Sequence, residues 1–167
     1  TDGNGCIAAG QSDVIVNPMP VVSVSSDMGV CKGESATISI TNGTGAYLWT
    51  PGNFATPSIT VAPLVTTTYT VTVSDAIGCS GTASATIDVH PIPVAAFSSS
   101  GPVCVNNSIT VTDNSSLSTG TINSWNWNFG NGNNSNVPSP SNLYSTSGNL
   151  KERLIIASDF GCKDTSD

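Results

Sequence analysis

The chain repeats itself, and the length of the repeat decides what it can fold into. Asp2-Gly3-Asn4-Gly5-Cys6 recurs as Asp75-Ala76-Ile77-Gly78-Cys79, an offset of 73 residues (79 − 6). Val16-Asn17-Pro18-Met19-Pro20-Val21 recurs as Val89-His90-Pro91-Ile92-Pro93-Val94, and Val30-Cys31 as Val103-Cys104, both at the same offset. A third Gly-Cys stands at Gly161-Cys162, 83 residues (162 − 79) after the second. Four landmarks in one order make each unit a small domain of its own.

The prolines set the boundaries, because proline fixes φ and restricts the residue before it, so Val-x-Pro-x-Pro-Val reads as a stiff linker. Residues 1–17 are then the Gly-Cys turn and last strand of a preceding repeat. Residues 18–90 form a complete unit. Residues 91–167 form a second, ending where its own last strand should begin. Residues 1–17 are expected to stay out of the 18–90 core, exposed or paired with another chain; completing a neighbouring copy's second unit is a related expectation.

Within the complete unit, apolar residues alternate with polar ones at the period of a half-buried strand. Val21, Val22 and Val24 mark a first strand, and Ala36, Ile38 and Ile40 a second. Tyr47-Leu48-Trp49, the Ile59 and Val61 pair, Tyr69-Val71-Val73 and Ala83-Ala85-Ile87-Val89 follow. About seven short strands in about 73 residues predict an immunoglobulin-like β-sandwich with Trp49 as its core aromatic. The second unit has the same plan: Phe97, then Ile109 and Val111, then Leu154 and Ile156, with Trp125, Trp127 and Phe129 sharing one face of its middle strand. The fold class is all-β, tandem sandwiches arranged end to end.

The middle strand carries a family resemblance. Trp127-Asn128-Phe129-Gly130-Asn131-Gly132 resembles the W-D-F-G-D-G signature of PKD domains, and Pro140, Tyr144 and Gly148 fall where that family has N-P-x-H-x-Y-x-x-x-G. Asn128 and Asn131 replace both signature aspartates, removing charge that could support calcium. Glu152 also departs, standing at an inward position of its strand. The first unit is similar to shorter immunoglobulin-like repeats found beside PKD domains in giant Bacteroidota surface proteins, through Val30-Cys31-Lys32-Gly33-Glu34-Ser35 and Thr67–Val73. SprB-type gliding-motility adhesins, exported by the type IX route, are of this kind. The resemblance implies a structural or adhesive segment of a long extracellular filament on a bacterial cell surface, associated with the outer membrane. Its partners would be neighbouring repeats, and extracellular polysaccharide or other surfaces. The alternative is an accessory PKD or carbohydrate-binding type of module in a secreted polysaccharide hydrolase or protease.

Composition narrows the chemistry. Net charge is −7, and Lys32, Lys151, Arg153 and Lys163 form no cluster, so a nucleic-acid partner has no electrostatic footing. No apolar run approaches the ~20 residues of a membrane helix, so membrane insertion is not expected. Intrinsic disorder is the alternative for a chain only 9% charged, and the repeated β-branched alternation argues against it.

No catalytic residue is expected: the single histidine, His90, reads as an exposed linker residue. No cofactor is expected either, although Asp113, Asp159 and Asp164 could gather at one pole as a weak Ca2+ site, whereas Asp2-Gly3-Asn4-Gly5 reads as a tight turn. Trp125 and Trp127 could form a sugar-stacking platform, but their strand position favours core packing. The N-x-[ST] triplets at Asn42, Asn106, Asn114 and Asn133 are ordinary in so Ser/Thr-rich a chain.

Five cysteines at wide intervals exclude a C-x-x-C zinc or redox motif and suit an oxidising compartment. Two pairing schemes are open. One joins Cys31 to Cys79 and Cys104 to Cys162, a bond within each unit, leaving Cys6 alone. In a sandwich, however, Cys31 and Cys79 lie at opposite poles, roughly 20 Å apart along a seven-residue strand, and a disulfide needs Cα atoms within about 7 Å. The other scheme is an inter-domain Cys31–Cys162 bond across the Pro91–Pro93 linker, with Cys6, Cys79 and Cys104 pairing to neighbouring units.

Overall fold

The computed structural model describes residues 3–4 and 10–167, and among these every regular element is a strand. The first immunoglobulin-like sandwich opposes two sheets. One holds β1 (Ser23–Val24), β3 (Ala36–Asn42) and β5 (Ser58–Val61), in the order β1-β3-β5. The other holds β2 (Met28–Cys31), β4 (Ala46–Thr50), β6 (Thr67–Ser74) and β7 (Ser80–His90), in the order β2-β7-β6-β4. The alternation read from sequence sorts the side chains. Tyr69, Val71 and Val73 of β6 point into the core with Ile38, Trp49, Ala85 and Ile87. The outward threonines pair across strands instead, Thr70 with Ser84 at 2.8 Å and Thr68 with Thr86 at 3.0 Å. Such threonine and serine pairs each contribute a few tenths of a kcal/mol, roughly 0.2–1.

The second sandwich follows the same plan. Its sheets are β8 (Phe97–Ser99), β9 (Asn107–Asp113) and β12 (Ser141–Tyr144), ordered β12-β9-β8, and β10 (Ile122–Asn128), β11 (Asn134–Ser135), β13 (Arg153–Ser158) and β14 (Lys163–Ser166), ordered β11-β10-β13-β14. The two central tryptophans occupy matching places. Trp49 pairs with Val71 across β4 and β6, and Trp127 with Leu154 across β10 and β13. Both are fully buried, and each indole nitrogen donates to a loop carbonyl, Trp49 to Thr56 at 2.9 Å and Trp127 to Val137 at 3.0 Å. That bond lets a large amphipathic ring sit in the core without an unpaired donor.

Three local features differ from the sequence reading. Val21 is 75% exposed, and the first strand shrinks to Ser23–Val24. The chain then crosses to the other sheet as β2, which pairs in parallel with the end of β7, Val30 opposite Val89 and Cys31 opposite His90. Four residues containing Gly29 carry too little alternation to announce a strand, so sequence places them in a loop. The second unit, expected to end before its last strand, pairs Lys163–Ser166 with β13 as a four-residue strand beside the eleven residues of β7. Among residues 10–17, Val14, Ile15 and Val16 are 81–87% exposed, outside either core; Cys6 and Ile7 lie outside the described residues.

Candidate functional site at the domain junction

The chain passes from one sandwich to the next at the end of β7, and both sides of the linker are tied down. Cys31, the last residue of β2, sits in a tight turn: Glu34 N–H donates to the Cys31 carbonyl at 2.9 Å, while the Glu34 carboxylate accepts from Cys31 N–H at 3.1 Å. Lys32 N–H donates to the carbonyl of His90 at 2.9 Å, which carries the β2–β7 pairing one residue further. On the other side, Cys162 lies in the turn between β13 and β14. Its N–H donates to Ser158 Oγ at 3.2 Å and its carbonyl accepts from Ser158 N–H at 2.9 Å.

A disulfide joins Cys31 to Cys162, with Cα atoms 5.6 Å apart and a separation of 131 positions in sequence. The sulfur is sealed from solvent on the second domain's side, where Cys162 is 1% exposed. Cys79 and Cys104 are free thiols, so the within-unit pairs Cys31–Cys79 and Cys104–Cys162 are not made. The topology accounts for this. Cys79 precedes β7 and Cys31 pairs with its last residue, so the eleven residues of β7 hold them at opposite ends of the sandwich.

His90 is not the exposed linker residue expected from sequence. It is half-buried, and its ring stacks on Phe160 of the second sandwich with centroids 3.9 Å apart and planes 5° from parallel. The imidazole also lies against Gly29, where a β-carbon would stand 2.6 Å from Nε2. Gly29 therefore leaves the space in which the ring can lie flat on its partner.

The linker is part of the packing. Pro93 is fully buried, Val94 exchanges backbone hydrogen bonds with Ser116 at 2.8 and 3.0 Å, and Ala95 N–H donates to the Asp164 carboxylate at 2.8 Å. Asp164 thus has a structural task, and so do the other carboxylates considered for calcium. Asp113 accepts from Trp125 Nε1 at 2.6 Å and from Ser115 N–H at 3.0 Å. Asp159 accepts from the backbone and hydroxyl of Thr121 at 3.3 and 3.2 Å. Among the described residues no three His, Cys, Asp or Glu side chains gather as a metal site.

Trp127 and Phe129 are buried and Trp125 is half-buried on Asp113, so these rings present no open stacking platform. Both asparagines that replace aspartates bond to nearby backbone, and Asn131 does so as an amide. Asn128 Oδ1 accepts from Gly130 N–H at 2.8 Å. Asn131 Oδ1 accepts from Asn133 N–H at 3.1 Å while its Nδ2 donates to the carbonyl of Leu143 at 3.1 Å. A carboxylate cannot make that second bond. Asn131→Asp is expected to cost about 1 kcal/mol of second-domain stability, read as a lower urea midpoint with unchanged slope.

The far end of the second sandwich carries a groove of about 700 Å3 lined by Phe97, Val103, Tyr144, Leu150, Lys151 and Glu152 among others. Glu152, inward-facing by sequence, lies just before β13 and accepts from the Tyr144 hydroxyl at 3.3 Å and from Ser99 at 3.4 Å. Burial, together with the charge of Glu152, pushes the Tyr144 phenol above its ordinary pKa. At the lip, Arg153 hydrogen-bonds Asp167, holding that carboxyl below its usual range.

Residues 90–167, a little under half of the chain, match the PKD domain family. No curated protein matches. Among solved structures, the PKD1 domain of the Vibrio cholerae metalloprotease PrtV is 35% identical, the match covering 45% of this chain and 89% of that one, with a TM-score of 0.41. The PKD1 domain of Vibrio anguillarum Epp is 29% identical over 45% of this chain and 86% of its own, TM-score 0.41. A 1.5-MDa bacterial ice-binding adhesin is 14% identical over 90% of this chain and 65% of the adhesin structure, TM-score 0.40. All three TM-scores are below 0.5. The chain is thus a succession of two immunoglobulin-like sandwiches, of which the second, residues 90–167, matches the PKD domain family.

Proposed function

We propose that the chain is a structural and adhesive segment of a long extracellular filament on a bacterial cell surface, a stalk of repeats that holds a binding region away from the outer membrane. A role in gliding motility, as in SprB-type adhesins, is the finer form of this reading. The observation that carries it is the bond between Cys31 and Cys162, because it joins two domains across their junction and not two strands within one. A domain needs no such bond to fold its own core, whereas a projecting filament needs its junctions fixed. Structural disulfides also persist in oxidising, extracytoplasmic surroundings and are rare in a reducing cytosol. The half-buried His90–Phe160 stack and the buried Pro93 support the same reading, since each removes freedom from the linker. The reading assigns the chain no reaction and no cofactor. Its partners are neighbouring repeats and the polysaccharides or surfaces to which the filament attaches.

Antibodies raised against the purified chain test it. They are expected to label intact cells of the source organism, to lose their target when cells are shaved with external protease, and to reduce attachment to solid surfaces. Antigen confined to the cytosol would overturn the reading. Antigen released as part of a secreted hydrolase or protease would replace it with the accessory-module alternative.

A further inference from the structure

An asparagine followed by glycine carries a reaction of its own. The glycine nitrogen attacks the side-chain amide carbon, ammonia leaves, and water opens the resulting succinimide ring to aspartate or isoaspartate. A fold decides which such pairs react by how it holds the attacking nitrogen and the amide, since orientation lowers the barrier. The chain has three of them, Asn4–Gly5, Asn42–Gly43 and Asn131–Gly132. Gly5 lies outside the described residues, which leaves two to compare.

Asn131–Gly132 has each part the reaction needs. Asn131 Oδ1 accepts from Asn133 N–H at 3.1 Å, closing an Asx turn that curls the side chain over the Gly132 peptide. That oxygen takes the negative charge when the nitrogen attacks, so Asn133 N–H already stands where an oxyanion donor must. Through Nδ2 the same amide donates to the Leu143 carbonyl at 3.1 Å, which fixes its orientation. Gly132 is exposed, and a β-carbon there would meet nothing within 4 Å. Its N–H makes no hydrogen bond among the described residues, so the attacking nitrogen is free. Two other asparagines show what is missing elsewhere. Asn128 makes the same kind of turn, its Oδ1 accepting from Gly130 N–H at 2.8 Å. The nitrogen that would attack there belongs to Phe129, which is buried and whose N–H donates to the Asn133 carbonyl at 3.1 Å. Asn42 has its glycine, but its amide is held only through Nδ2, which donates to the Val21 carbonyl at 3.2 Å. Among the described residues nothing donates to its oxygen.

We propose that Asn131 is a self-modifying site, at which the folded second sandwich converts its own asparagine to aspartate and isoaspartate. The Gly132 nitrogen gives its proton to hydroxide and bonds to Asn131 Cγ. The Cγ–Nδ2 bond breaks, and Nδ2 leaves as ammonia with a proton from water. A second water adds to one carbonyl of the ring and cleaves its bond to nitrogen, leaving a carboxylate. Water and hydroxide are the only co-reactants.

The conversion undoes what holds the turn. A carboxylate has no hydrogen to give the Leu143 carbonyl, which lies on the outer strand β12. Isoaspartate goes further, because it routes the main chain through the former side chain and lengthens the turn between β10 and β11. In that hairpin Trp127 faces Ser135, and its indole proton goes to Val137 just beyond. Loosening the turn therefore reaches the ring at the centre of the second core. The second sandwich weakens irreversibly with age while the first keeps its stability, wherever in or on a cell the chain resides.

The experiment ages the purified full chain at mildly alkaline pH, folded with its disulfide intact, and in parallel reduced and held in urea. Peptide mass spectrometry scores amide loss at Asn42, Asn128 and Asn131, and enzymatic methylation scores isoaspartate. In the folded chain Asn131 is expected to convert at least about tenfold faster than Asn42, the effect of one placed donor in a solvent-facing turn. Asn128 is expected to stay intact. In urea the advantage of Asn131 over Asn42 should vanish, because the turn that creates it is gone. The aged folded chain should show a lower urea midpoint for the second sandwich alone, whereas Asn131→Gln, whose longer side chain disfavours the ring closure, should keep the midpoint it had when fresh. Asn131 converting no faster than Asn42 in the folded chain overturns the proposal, as does the same advantage persisting in urea. A converted chain with the midpoint of the fresh one overturns the weakening.

Discussion

Trp127→Ala is expected to unfold the second sandwich while leaving the first folded. The ring is fully buried, meets Phe97 edge-to-face with centroids 5.1 Å apart, lies parallel to Phe129 at 6.2 Å, and gives its indole proton to Val137. Truncation of a buried tryptophan costs about 3–5 kcal/mol. Small domains have about 5–15 kcal/mol in total. With only six buried apolar residues at its centre, the second sandwich stands near the lower end of that range. Urea titration followed by circular dichroism checks it: the variant should lack the transition at lower denaturant, which belongs to the second sandwich, and retain the other. A variant with the parent's full unfolding profile would show that the core does not depend on this ring.

Breaking the Cys31–Cys162 bond, by reduction or by Cys162→Ser, is expected to have the second large effect. In the chain-entropy account, closing a loop of this length stabilises the folded chain by about 5 kcal/mol. That contribution is shared, because the loop encloses most of both sandwiches. The oxidised protein should therefore unfold at a distinctly higher denaturant concentration than the reduced one, and the reduced one should unfold as two separate domains. Limited proteolysis gives a second readout. Reduction should expose the bonds around Pro91–Pro93, which are protected while Pro93 is buried and His90 is stacked on Phe160. Equal midpoints with and without reductant would mean that the bond constrains nothing the rest of the junction does not already hold.

How much of this was legible beforehand follows from where each signal resides. Alternation is a local property, so Tyr69-Val71-Val73 and Ile109-Val111 announce their strands and their buried faces. Trp49 and Trp127 declare themselves as core residues for the same reason. β2 could not be read this way, because its pairing is parallel and long-range, from Met28 to Ile87, and Gly29 breaks its pattern. The role of His90 was hidden because it depends on a partner 70 residues later and on a β-carbon that Gly29 lacks. Asn131 shows a third kind of silence. A substitution that looks like a loss of charge is in fact a gain of a donor, visible only once the carbonyl of Leu143 is in place.

The disulfide also decides what happens to the molecule under tension. A pull applied along the chain passes from Cys31 straight to Cys162, so the 131-residue span between them is bypassed. At about 3.5 Å per extended residue, roughly 450 Å of chain can never be paid out. Strands β3 to β13 lie inside that closed span, and stretching the ends cannot unravel them in sequence. Only the segments before Cys31 and after Cys162 remain in series with the force. Repeats without such a bond lengthen by unfolding one after another and so absorb sudden loads. This pair cannot lengthen that way while its bond is intact; it transmits displacement from one end to the other with little loss, as a tether must when it couples a moving base to a fixed attachment.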